Sequence, residues 1–225
     1  MDHPFADRQA AGRQLAQRLG HLAGQADTVV LGLPRGGLPV AAEVALALGA
    51  PLDVVLVRKI GAPMNPELAL GAVAGSQGQV LILNDALMAQ LGLTRSTVDR
   101  LATQARAELA RRALLWGAGS TSDSFRGKQV ILVDDGIATG ATMQAALAAL
   151  RQAAPARIIL AVPIAGRDSL LALAKAADEV ICLQSPASFG AVGAHYVQFP
   201  QVSDEEVSAI LATARKRAAL PTGPR

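Results

Sequence analysis

Short, continuous apolar runs alternate along this chain with stretches in which apolar residues recur every three or four positions. The runs at 28–33, 53–57, 128–133, 157–162 and 179–183 have strand length and read as buried strands. Between them, Val40, Val44 and Leu48 predict one helix, residues 141–153 a second, and residues near 169–176 a third. Leu15, Leu19 and Leu22 give an amphipathic N-terminal helix over about residues 5–24. Ser203 opens a last helix, with Asp204, Glu205 and Glu206 in the turn where the helix dipole favours acids. Strands alternating with helices imply an α/β fold, a three-layer domain built on a parallel sheet with right-handed crossovers.

The alternation breaks in the middle of the chain. Residues 60–68, with Gly61, Pro63, Asn65 and Pro66, predict a loop. The apolar runs 70–74 and 80–83 flank Gly75-Ser76-Gln77-Gly78, a hairpin signal. Thr94 caps a long helix to about Trp116, with Val98, Leu101, Ala105, Leu109 and Ala113 on one face, and residues 117–127 form a polar connector. The chain therefore reads as one domain over 1–225, with a helical and hairpin flap inserted at about 60–125. The tail after Leu220 is basic and contains Pro and Gly, and is expected to fray.

Composition narrows the class. Hydrophobic residues make up 51% of 225, enough for a sizeable core, yet no run approaches the roughly 20 apolar residues that span a bilayer. Residues 1–4 begin no signal peptide. The single cysteine, Cys182, lies in a predicted strand, excludes an internal disulfide and fits a reducing cytosol. A net charge of +3 suits a small anionic ligand better than nucleic acid, for which a denser basic face is expected. Arg106, Arg111 and Arg112 form a basic patch on the long helix that reads as solvated.

Candidate chemistry concentrates at 130–142. A buried strand ends in Asp134 and Asp135, then a small-residue turn runs through Gly136, Ala138, Thr139, Gly140, Ala141 and Thr142 into a helix. Two adjacent acids at a strand's carboxyl end suit a polyhydroxylated or metal-bound ligand. A helix opened by such a turn offers free N–H groups and two hydroxyls to an anion. Diol and phosphate recognition within nine residues is the binding problem posed by a ribose 5-phosphate. Ligands on parallel sheets bind beyond the carboxyl ends of the strands. That rule should gather Arg35-Gly36-Gly37, Arg58-Lys59 and Asp134-Asp135 at one place.

The 130–142 segment resembles the phosphoribosyl-pyrophosphate (PRPP) motif of the type I phosphoribosyltransferases. The resemblance implies that Asp134 and Asp135 face the ribose hydroxyls, and that Ala138, Thr139, Gly140, Ala141 and Thr142 cradle the 5-phosphate. Gly136 departs from the pattern, since an apolar residue is commoner there. Pro34-Arg35-Gly36-Gly37 is similar to the family's short pyrophosphate loop, which often contains a strained peptide. Arg58 and Lys59 resemble the start of its mobile loop, Lys59 being the catalytic candidate and Arg58 a pyrophosphate contact; Glu67 lies in the same loop. Phe189 and Tyr196 are candidate acceptor contacts, with packing beneath a loop an equal account of both, and His195 beside them reads as a loop histidine. Where purine-salvage members carry an acid that handles the base's proton, this chain has Ala138.

The resemblance implies transfer of the 5-phosphoribosyl group from PRPP to a nitrogen acceptor such as a nucleobase, with release of pyrophosphate. It further implies Mg2+ carried mainly by PRPP and water, a cytoplasmic homodimer, and no membrane or nucleic-acid partner. The alternative is a non-catalytic sensor of PRPP or nucleotides, in which the 84–117 stretch serves a protein partner; in either reading that stretch is a candidate flap or dimerisation element.

Overall fold

A computed structural model describes residues 3–76, 78–118 and 122–219. Gln77 of the predicted turn, residues 119–121 of the connector, the tail beyond Leu220 and the side chain of Glu67 lie outside the described residues. The chain opens with α1 (Arg8–Arg18), β1 (Thr28–Gly32), α2 (Gly37–Leu48) and β2 (Leu52–Val54). It continues through β3 (Val57–Ala62), β4 (Asn65–Ala74), β5 (Val80–Leu83), α3 (Asp85–Gln90) and α4 (Arg95–Trp116). It then returns to β6 (Gln129–Val133), α5 (Ala141–Gln152), β7 (Arg157–Ile164), α6 (Arg167–Leu173), β8 (Glu179–Gln184) and α7 (Asp204–Ala218).

Five strands form a parallel sheet in the order β2-β1-β6-β7-β8. Successive side chains of a strand point to opposite faces, and both faces here are apolar. Val30, Ile131, Val133, Ile159 and Ala161 pack with Leu15 and Leu19 of α1, Val40 and Val44 of α2, and Val207 and Leu211 of α7. Val29, Leu31, Leu132, Leu160 and Val162 pack with Met143 and Leu147 of α5 and Leu173 of α6. These are the three layers that the alternating pattern predicts. The strand order runs one way from β1 to β2 and the other way from β6 to β8, so the order reverses between β1 and β6. Crevices at such reversals are where α/β sheets bind ligands.

The inserted unit starts at Val57, a little before the expected flap. β3, β4 and β5 form a separate antiparallel sheet. Ile60, Leu70 and Val73 on one face join Val98, Ala102 and Leu109 of α4, while Val57, Ala72 and Ala74 on the other join the α5 cluster. The Thr94 side chain accepts from Thr97 N–H, and Ser203 and Glu206 form a reciprocal capping box on α7, as their positions predict. Among the described residues, no helix is long and apolar enough to cross a membrane.

Two expectations need correction. The strand expected at 53–57 ends at Val54, and Val57 already belongs to β3. Val54, Val55, Leu56 and Val57 are all buried, so hydropathy carries no mark of the point where the chain leaves one sheet for the other. The loop expected at 60–68 is a β3–β4 hairpin with Pro63 and Met64 at its tip, Met64 being 96% exposed. Register shifts at Ile60/Gly61 and Gly61/Ala62 absorb the irregular spacing of its turn residues. Pro66 falls between Asn65 and Ala69, where the β3–β4 register has no pair and β5 has not begun, a position that tolerates a missing N–H donor.

Candidate functional site

The reversal between β1 and β6 brings two of the three sequence-predicted clusters into contact. Leu33 N–H donates to the Val133 carbonyl at 2.8 Å, carrying the β1 pairing one residue past the strand, and the Pro34–Arg35 peptide is cis. The turn then runs across the acid pair. A methyl group on Gly37 would lie 2.8 Å from both Asp134 Cα and the Val133 oxygen, and one on Gly36 would land on the Asp135 carboxylate. Both glycines are therefore demanded by close approach. Arg35, a third exposed, extends to 3.7 Å from Asp204 at the start of α7.

The acid pair sits in an enclosed, unequal environment. Asp135 N–H donates to Asp134 Oδ1 at 2.9 Å. Arg8 Nε donates to Asp135 Oδ2 at 2.8 Å and its Nη1 to the Pro200 carbonyl at 2.7 Å, while its guanidinium lies 3.7 Å over the Phe199 ring. Burial raises the Asp134 carboxyl well above the ordinary range, and the neighbouring Asp135 charge adds to that. Burial also raises Asp135, but the Arg8 hydrogen bond and charge pull it back.

The small-residue turn is docked on the end of β7. Ile137 N–H donates to the Ile164 carbonyl, and Gly166 N–H to that of Ile137. Gly140 takes φ +75° at the N-cap of α5, a left-handed conformation that favours glycine, and no side chain caps the helix. The first-turn N–H groups of α5 are thus left for another acceptor. Thr139 and Thr142 are exposed beside them. The Ser169 hydroxyl donates to the Ala138 carbonyl and steadies the turn from α6. A side chain at Gly136 would meet Val192 at 2.5 Å and Ile164 at 2.8 Å, which is why this position departs from the apolar residue expected there.

Phe189 lines a cleft with Ala138, Gly166, Arg167, Asp168 and Ser169, and His195 stacks on its ring at 5.3 Å. Of the two accounts open for Tyr196, acceptor contact or packing beneath a loop, its position has the geometry of the second. It is 6% exposed, packs between Phe5 and Phe199, and donates its hydroxyl to the Asp135 carbonyl, so it supports the acid pair from beneath. Arg58 and Lys59 also need correction. They do not end a parallel strand but lie within β3, Arg58 paired with Val73 and Lys59 with Ala72. Ala72 belongs to the α5 side of that sheet and Val73 to the α4 side, so the pleat turns Lys59 toward the side of the helix that opens at Thr139–Thr142.

The basic patch on α4 is tied down rather than merely solvated. Glu108 bonds Arg111 and Arg112, and those contacts hold its carboxyl down to about 2. Arg106 donates to the Gly78 carbonyl. Cys182 is half-buried and its thiol is pushed up to about 11 by burial, consistent with an inert strand position.

Arg8 is the site residue that sequence reasoning missed. Its signal was present: positions 8, 11, 15 and 19 form the buried stripe of the N-terminal helix, and the first of them is charged.

Comparison with known proteins agrees with this geometry. The family described as phosphoribosyl transferase domain matches residues 6–198. Two Mycobacterium tuberculosis proteins, from strains CDC 1551 / Oshkosh and H37Rv and provisionally named phosphoribosyl transferases, are 49% identical over 212 residues. That match covers 94% of this chain and 47% of theirs, so the chain spans about half the length of these curated relatives. The crystal structure of TT1426 from Thermus thermophilus superposes with a TM-score of 0.83 at 46% identity, covering 93% of this chain and 98% of that one. With that model matching residues 6–198, and the glycine turn, acid pair and uncapped helix start all lying within the match, the chain belongs to the phosphoribosyl transferase domain family.

Proposed function

We propose that the chain transfers the 5-phosphoribosyl group of PRPP to a nitrogen acceptor, releasing pyrophosphate. The observation that carries this reading is the contact of the Arg35–Gly37 turn with Asp134 and Asp135, next to the uncapped start of α5. Three chemically distinct ends of PRPP then have three distinct receivers. The 5-phosphate meets the N–H groups and hydroxyls of Ala138–Thr142. The ribose diol meets the acid pair. Pyrophosphate meets the Gly36-Gly37 backbone, with the Arg35 guanidinium swung from Asp204.

In the reaction the bond from the sugar's anomeric carbon to pyrophosphate breaks, its electron pair leaves with pyrophosphate, and the acceptor nitrogen takes its place. Positive charge grows on the sugar, and the adjacent carboxylates stabilise it by position rather than by covalent attack. Mg2+ would be carried mainly by PRPP oxygens and water beside Asp134 and Asp135, and would supply screening of the pyrophosphate charge. The Phe189 cleft receives the acceptor. Ala138 cannot take the acceptor's proton, so the acceptor is one that needs no carboxylate there, or the site binds without turnover.

A pyrophosphate-release screen with Mg-PRPP against purines, pyrimidines and small amines tests transfer; binding of Mg-PRPP without release by any acceptor would favour the sensor. The two ends should also separate by mutation. Thr139→Val and Thr142→Val should weaken both ribose 5-phosphate and PRPP, whereas Arg35→Ala should weaken pyrophosphate and PRPP and leave ribose 5-phosphate near wild type. Equal loss of ribose 5-phosphate in both sets would sink this division.

Lys59 is proposed to reach the pyrophosphate when the β3–β4 hairpin closes and shuts out water. Lys59→Ala should slow turnover by about 10- to 100-fold while changing ground-state PRPP affinity less than about threefold, because a closing element contributes most in the transition state. Hydrogen exchange over residues 57–74 should slow on adding Mg-PRPP. Unchanged exchange together with normal turnover in Lys59→Ala would leave the hairpin outside the reaction.

A further inference from the structure

Arg8 poses a question that the proposed transfer does not answer. A charged residue on the buried stripe of α1 is 7% exposed and reaches from the first turn of the chain to an acid 127 positions away. Buried ion pairs rarely add net stability, since desolvation offsets their attraction and an apolar residue of similar size packs as well. The stripe would accept such a residue. Instead the guanidinium is fixed on three sides, by the Phe199 ring, the Pro200 carbonyl and Asp135. The segment bearing Phe199 and Pro200 is itself tied to the start of the chain, through Phe5 N–H to the His195 carbonyl, Val197 N–H to Phe5 and Gln198 N–H to Ala6.

We propose that Arg8 is a positioning residue for ribosyl transfer: it grips one oxygen of the Asp135 carboxylate, supplies the counter-charge that the acid pair needs, and presents Asp135 to the ribose diol. The inference rests on the PRPP reading of the site. Among the described residues, the groups that face Asp135 come from four places. Arg8 comes from α1, Asp134 from the same turn, Tyr196 from the 189–200 segment, and the uncharged Gly36 backbone from the β1–α2 turn. Asp7 and Glu206 line the outer cleft beside Arg8. The contact is a single Nε bond, so the second carboxylate oxygen is not committed to the guanidinium. A lysine in its place keeps the charge but not the planar fork that ring and carbonyl hold in one orientation.

The test is a carbon-13 carboxyl NMR titration of Asp135, with calorimetric Mg-PRPP binding over the same pH range, on wild type, Arg8→Gln and Arg8→Lys. Removing a cation at hydrogen-bond distance should raise the Asp135 midpoint by about one to three pH units in Arg8→Gln, with Arg8→Lys between it and wild type. The pH at which PRPP affinity falls by half should rise by the same interval, and affinity should recover above it. An unmoved midpoint, or an equal loss of affinity at every pH, would overturn the proposal and leave Arg8 a packing residue. If Arg8→Gln does not fold, Arg8→Lys decides alone, a wild-type midpoint counting against. The titration needs no ligand, so a protein that shows the midpoint shift yet binds no Mg-PRPP refutes the PRPP reading rather than the pairing.

Discussion

Asp134→Asn is expected to raise the stability of the ligand-free protein while weakening Mg-PRPP binding strongly, although the sequence presents Asp134 and Asp135 as an equivalent pair. The carboxyl of Asp134 is raised by burial and by its neighbour, so the folded state keeps that proton to higher pH than the unfolded chain does. A raised acid has a definite sign. The folded protein is favoured most below the unfolded value near 3.9, and stability falls as pH rises from there through the raised folded value. An asparagine removes the charge and the slope. The gain at neutral pH should be about 1 kcal/mol, or ~2–4 °C in Tm for a chain of this size.

Asp135→Asn should behave differently in the fold and alike in the site. Relief of the buried charge is outweighed by a buried guanidinium that loses its charged partner, so the fold should lose up to about 3 kcal/mol. Each substitution should cost about 1.5–3 kcal/mol of Mg-PRPP binding, the range for hydrogen bonds to charged groups. Thermal melts across pH and calorimetric titration read both quantities. A difference between wild type and Asp134→Asn that does not change with pH, or an Asp134→Asn variant less stable than wild type at neutral pH, would contradict the environment assigned to Asp134.

Gly37→Ala should be the most damaging small substitution in the turn that meets the acid pair. The added methyl would meet the Asp134 Cα and the Val133 carbonyl at 2.8 Å, both main-chain atoms that cannot rotate away. Either the β1–α2 turn lifts off the end of β6 or the acid pair is pushed aside. Overpacking of this kind costs about 1–3 kcal/mol, and either movement also changes the distance between the pyrophosphate and diol receivers. Mg-PRPP affinity should therefore fall by more than about 100-fold, because misplaced binding groups lose their cooperation. Gly36→Ala should be milder for the fold, since its methyl meets a side-chain carboxylate rather than backbone. A Gly37→Ala protein with wild-type Tm and PRPP affinity would show that the two turns do not need this contact.

The parallel sheet, its flanking helices, the capped ends at Thr94 and Ser203, and the placing of Asp134–Thr142 at a strand-to-helix turn were all legible in the sequence. Each of these is written in local spacing: apolar runs, three- and four-residue periods, cap residues, and acids followed by small residues. The glycines of the Arg35–Gly37 turn were legible as a candidate on the same terms. Where β2 ends and β3 begins was not legible, because four consecutive buried residues look the same whichever sheet they join. The hairpin at Val57–Ala74 was hidden behind turn residues that register shifts absorb. Long-range packing was needed to place Tyr196 beneath Asp135 and Lys59 on the α5 side of its sheet. The same packing joined Arg8 to an acid 127 residues away. Periodicity reports which face of an element is buried, but not which distant group waits on that face; a charge on the buried stripe signals a partner without naming it.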